Sequence, residues 1–93
     1  MAVYKLSQDA SEKLENIYEY SLLNFGEEKA DEYYLSLHKT FELLAEQPSL
    51  GRSFHEFHRH EHGYHVFFYK VTDYGILILH ILHQKEDVET KLQ

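Results

Sequence analysis

The sequence predicts an α+β fold: a short N-terminal strand, then an antiparallel two-helix hairpin packed on a C-terminal antiparallel sheet of about three to four strands. Three observations carry this. Apolar residues recur three and four apart through the first half of the chain, which is the period of one helix face. From Phe54 onward the period changes to two. The two patterns are segregated rather than alternating, which separates α+β from a parallel α/β sheet. With 93 residues the chain forms one domain, 1–93.

Tyr4 to Leu6 alternate apolar and polar and give the first strand. Ser7 or Asp9 caps the first helix, because each side chain accepts bonds from free backbone N–H groups. Ala10, Leu14, Ile17 and Ser21 form the buried stripe of a helix over Asp9 to Asn24, and Gly26 ends it. Ala30, Tyr34, Leu37, Phe41 and Leu44 define a second helix over Glu28 to Glu46, with Tyr34 in its core stripe. Pro48 stops that helix, since the residue before a proline avoids helical geometry. Pro48 to Arg52 reads as a turn. His65 to Val71 is dense in β-formers, Thr72 to Gly75 is a hairpin connection, and Ile76 to Leu82 is apolar on both faces and therefore central in the sheet. Gln84 to Gln93 is a polar tail.

Composition narrows the function classes. There is no Cys, which removes disulfides and thiolate metal sites and suits a reducing cytoplasm. The start has no basic segment followed by an apolar run, and no apolar stretch reaches the roughly 20 residues of a membrane helix. A cytoplasmic, membrane-free protein is expected. Net charge is −7 with only nine scattered Lys and Arg, so direct nucleic-acid binding is disfavoured. Eight Tyr and six Phe in so small a domain suit a face for a protein partner.

Two histidine groupings need weighing. In an extended run, His58, His60 and His62 project from one face, and Arg59 and Glu61 from the other, where they are expected to pair with helix charges. Such same-strand histidines rarely converge into a closed tetrahedral site, so neither a metal nor a cofactor is assigned. His65 and Tyr69 share a strand face with Phe67 between them; their rings are expected to pack while their polar tips reach partners at the sheet edge.

Several stretches, taken together, resemble the ParE branch of the RelE/ParE toxin family. Phe41-Glu42-Leu43-Leu44-Ala45-Glu46-Gln47-Pro48-Ser49-Leu50-Gly51-Arg52 resembles that family's LLA-x-x-P-x-x-G-[KR] turn. Gly63-x-His65-Val66-Phe67-Phe68-Tyr69 resembles its G-x-H-x-I-F-Y strand, and Ile78 to Asp87 its I-x-R-I-L-H-x-x-M-D ending. Phe25-Gly26 sits where the family has an aromatic-Gly joint. His80 stands where Arg is common, and Glu86 where Met is common. The resemblance implies a toxin that inhibits growth by binding DNA gyrase, and a cognate antitoxin, partly disordered when free, that neutralises it. The target-binding residues implied are His83, Lys85, Asp87 and Arg59; the antitoxin-binding candidates are Tyr18, Tyr20 and Tyr33. Two alternatives stay open. RelE-type relatives cleave mRNA on the ribosome, which here would use His83 with Arg52 or Arg59 as proton-transfer and phosphate-contacting groups. The other is an inert antitoxin-binding module.

Overall fold

The computed structural model describes residues 2–86. The order is β1 (Val3–Leu6), α1 (Gln8–Phe25), α2 (Glu27–Glu46), a 3₁₀ turn (Pro48–Leu50), β2 (Arg52–Phe54), β3 (Phe57–His62), β4 (His65–Val71), β5 (Gly75–His83) and a closing 3₁₀ turn (Gln84–Glu86). The sheet has five strands in the order β1-β5-β4-β3-β2. That is more strands than the sequence suggested, and the sheet is mixed, because β1 pairs with β5 in parallel while the other pairs are antiparallel.

Ser7 shows how local chemistry fixes the layers. Its Oγ accepts the Ala10 N–H at 3.0 Å and caps α1. The same hydroxyl donates to the Leu79 carbonyl at 2.7 Å. Leu79 is the extra residue of a bulge: Phe68 pairs with His80 but Tyr69 pairs with Ile78. A bulge leaves a backbone group outside the ladder, and Ser7 satisfies it. Ser7→Ala is expected to cost about 1–2 kcal/mol, the usual penalty for losing a cap, as a lower urea midpoint with an unchanged m-value.

Gly26, at φ +88°, joins the two helices alone. Its N–H donates to the Leu22 carbonyl and its own carbonyl accepts the Ala30 N–H, so one residue ends α1 and opens α2. The helices therefore fold back on each other and cover one face of the sheet. Ala10, Leu14 and Ile17 of α1 and Leu37, Phe41, Leu44 and Ala45 of α2 meet Phe67, Tyr69, Ile76, Ile78 and Ile81 there. Phe41 meets Phe67 edge-on with ring centroids 4.7 Å apart. Tyr34 is half-buried rather than core, since it faces α1 and His38 instead of the sheet.

Candidate functional site

Cross-strand neighbours share a sheet face, so the register sorts the polar residues. Arg59 pairs with Phe68 and with Arg52, and Glu61 pairs with Val66, all on the face away from the helices. The Arg59 guanidinium lies 5.9 Å from the Phe54 ring and 5.6 Å from the Phe68 ring. Glu61 reaches both Arg52 (3.9 Å) and Arg59 (3.8 Å). The expectation that Arg59 and Glu61 pair with helix charges is thus corrected: the helices lie on the opposite side, and the two residues meet each other and Arg52. Arg59 is only 2 % exposed.

His83 lies on the other face. It pairs with His65, with their rings 5.5 Å apart. The bulge at Leu79 causes this. Strict alternation from Ile76 and Ile78 would turn His83 away from the helices, and the extra residue reverses the parity. His83 Nδ1 accepts the Lys85 N–H at 3.1 Å, which sets the chain direction into the last 3₁₀ turn, where Lys85 is exposed. Asp87 lies outside the described residues. Two intervening strand spacings of about 4.8 Å each, on top of the opposite faces, separate His83 from Arg59. The structure brings Arg52, Arg59 and Glu61 together and leaves His83 apart from them.

A polar seam joins α2 to the β3–β4 hairpin. Tyr33 Oη accepts the Tyr64 N–H at 3.2 Å and shares a hydrogen bond with His65 Nδ1 at 2.6 Å. His65 Nδ1 therefore finds its partner on the helix. Tyr69 Oη likewise donates to the Pro48 carbonyl at 2.6 Å and accepts the Gly51 N–H at 3.0 Å, which pins the turn after α2. His58, His60 and His62 share one face, and it is the face turned towards α2. His62 Nε2 lies 3.0 Å from Ser36 Oγ and its Nδ1 lies 3.3 Å from Thr40 Oγ1. His58 stacks on Tyr69 at 5.4 Å.

Burial lowers the pKa of His62, and neighbouring His60 lowers it further; burial also lowers that of His60, against a smaller opposing effect of Glu61. In the unfolded chain both return to about 6.5. The unfolded state then binds protons more readily, so the stability these residues give is complete above pH 6.5 and is lost as pH falls below it. Urea midpoints measured between pH 7.5 and 5 should fall below pH 6.5, and less steeply in His62→Gln. Equal slopes would show that His62 titrates alike in the folded and unfolded states, against the lowering by burial.

The three candidate tyrosines separate. Tyr33 belongs to the seam. Tyr20 is 63 % exposed near the end of α1, against Phe25. Tyr18 donates to Asp31 Oδ1 at 2.6 Å across the hairpin and meets Tyr34 edge-on at 5.3 Å. Glu15, Tyr18, Glu19, Asp31 and Tyr34 line a groove of about 420 Å³ on the outer side of the helices. The sequence pointed to Tyr18 as a surface residue, but the groove needs α1 and α2 in register, which no local pattern displays.

No helix among the described residues is long and apolar enough to cross a membrane. Comparison with known proteins gives a consistent result. The family model described as "ParE toxin of type II toxin-antitoxin system, parDE" matches residues 4–88. Toxin ParE1 of Caulobacter vibrioides is 33 % identical over 96 residues, covering 99 % of this chain and 99 % of that protein. Toxin ParE1 of Mycobacterium tuberculosis is 31 % identical over 94 residues, covering 96 % of each. A solved chain of the chromosomal ParDE TA system from P. aeruginosa superposes with a TM-score of 0.74 at 20 % identity, covering 89 % of this chain and 96 % of that one; at that identity it speaks for the fold. Helical hairpin, sheet and end-to-end sequence match agree: this chain belongs to the ParE toxin family of type II toxin–antitoxin systems.

Proposed function

We propose that this toxin inhibits growth in the cytoplasm by binding DNA gyrase, and that a cognate antitoxin, partly disordered when free, neutralises it by folding on the helical hairpin. The observation that carries the reading is the family match along the whole described domain. The geometry favours contact over catalysis. A nuclease reading needs His83 to act on a phosphate held by Arg52 or Arg59, and these groups lie on opposite faces of the sheet. A contact surface needs no such convergence.

The end of β5 is the target-binding element in this reading. His83 and exposed Lys85 present it, and Asp87 follows in sequence. Arg59 contributes indirectly, because its buried head orients Glu61 beside Arg52. Tyr18 and Tyr20 of α1 present the antitoxin-facing side, and Tyr33 holds α2 on the sheet.

Two assays test the reading together. Growth inhibition by the wild-type toxin should be relieved when the antitoxin is co-expressed, and weakened at least tenfold in effective dose by Lys85→Glu, at unchanged thermal stability. In vitro translation with the same protein should run normally. Arrested translation with discrete mRNA cuts would replace gyrase binding by the nuclease reading; normal growth on antitoxin-free expression would leave an inert antitoxin-binding module.

A further inference from the structure

The groove between α1 and α2 has the chemistry to say what part of the antitoxin enters it. This inference rests on the antitoxin partnership proposed above. The groove is formed by two aromatic rings, Tyr18 and Tyr34, locked edge-on by the Tyr18–Asp31 hydrogen bond. Its rim carries Glu15 and Glu19, one helical turn apart on α1, and Asp31 on α2. Among the described residues neither Glu15 nor Glu19 has an ion-pair partner. One turn beyond Tyr18 the α1 face continues into partly exposed Leu22 and then Phe25, and Leu35 stands exposed one turn beyond Asp31. The surface is thus an apolar strip with a charged aromatic slot at its middle.

We infer that this groove docks a segment of the antitoxin that places a Lys or Arg side chain over Tyr18 and Tyr34, between Glu15, Glu19 and Asp31, with apolar side chains beside it on Leu22 and Leu35. A cation over an aromatic face is attracted by the ring, and the rim carboxylates add charge complementarity. Arg suits the slot best, since its planar head stacks on a ring while its N–H groups reach carboxylates. The acidic surface of the toxin, with net charge −7, steers such a segment towards it.

The test uses the full-length toxin and separately purified, fluorescently labelled cognate antitoxin. Glu15→Lys with Glu19→Lys reverses the rim on exposed positions. Glu46→Lys with Glu56→Lys makes the same change in net charge away from the groove. The rim variant should weaken binding at least tenfold at low salt, with a flatter dependence on ionic strength, while the distant variant stays within threefold of wild type. Both should keep the wild-type melting temperature. Equal affinity of the two variants would overturn the groove assignment and leave the antitoxin partnership standing. No binding by the wild-type toxin would overturn both.

Discussion

Tyr69→Ala is expected to lower the unfolding free energy by about 4 kcal/mol, the range for removing a fully buried aromatic side chain. Tyr69 is completely buried between the helices and the sheet and is among the largest side chains in the core. It also closes the turn after α2, accepting from the Gly51 N–H and donating to the Pro48 carbonyl. Gly51 leaves room for it: a Cβ there would lie 2.1 Å from the Tyr69 hydroxyl oxygen. Tyr69→Phe keeps the ring and should cost about 1–2 kcal/mol, the effect of leaving a buried N–H without its acceptor. Urea denaturation separates the two. If Tyr69→Phe were as damaging as Tyr69→Ala, the hydroxyl rather than the ring would dominate, contrary to the packing described here.

Gly75→Ala should cost about 3 kcal/mol or more, combining backbone strain with loss of β1 pairing. Gly75 has φ +145°, and a Cβ would lie 2.0 Å from the Val3 carbonyl oxygen and 2.8 Å from the Val3 nitrogen. Both are backbone atoms, so no rotamer change relieves the clash. β1 must detach, and with it Tyr4 and Leu6 leave the core. Amide exchange of Val3 to Leu6 should accelerate in Gly75→Ala. Gly26→Ala is the control: φ is +88°, yet nothing lies within 4 Å of the added carbon. It should cost about 1–3 kcal/mol, the strain of a backbone conformation (ψ 167°) that is essentially glycine's alone, and leave the exchange of Val3 to Leu6 unchanged.

These residues also show what the sequence could display. The stripe Ala30, Leu37, Phe41 and Leu44 was readable because its spacing needs no partner to interpret, and all four are buried. The strand His65–Val71 was readable for its β-branched and aromatic density, and it forms over that range. β2 was hidden. It is three residues long and turns into β3 through His55, at φ +56°, where the usual signal would be Gly or Asn. Missing that hairpin concealed the register that sets Arg52 beside Arg59 and Glu61. Gly75 read as a turn residue and does close the hairpin turn with Thr72, but its close approach to Val3 of β1 had no sign in the sequence.

The candidate site was legible in part for the same reasons. The alternation of Arg59 and Glu61 against the histidines was correct, because period two follows from strand geometry alone. Which face meets the helices was not, since it depends on pairings across the sheet. The side of His83 depends on one extra residue at Leu79, and a run of Ile and Leu gives no sign of a bulge. Tyr33 carried a surface pattern but spends its hydroxyl on Tyr64 and His65.

In the proposed function the end of β5 binds gyrase without chemistry by the toxin itself. Supercoiling by purified DNA gyrase, titrated with this protein free of antitoxin, tests it most directly. Inhibition with trapped, cleaved DNA is expected from the wild type and at least tenfold less from Lys85→Glu. Normal supercoiling at clear molar excess of a folded, growth-inhibiting toxin would rule out gyrase as the target and move it to the ribosome or another enzyme.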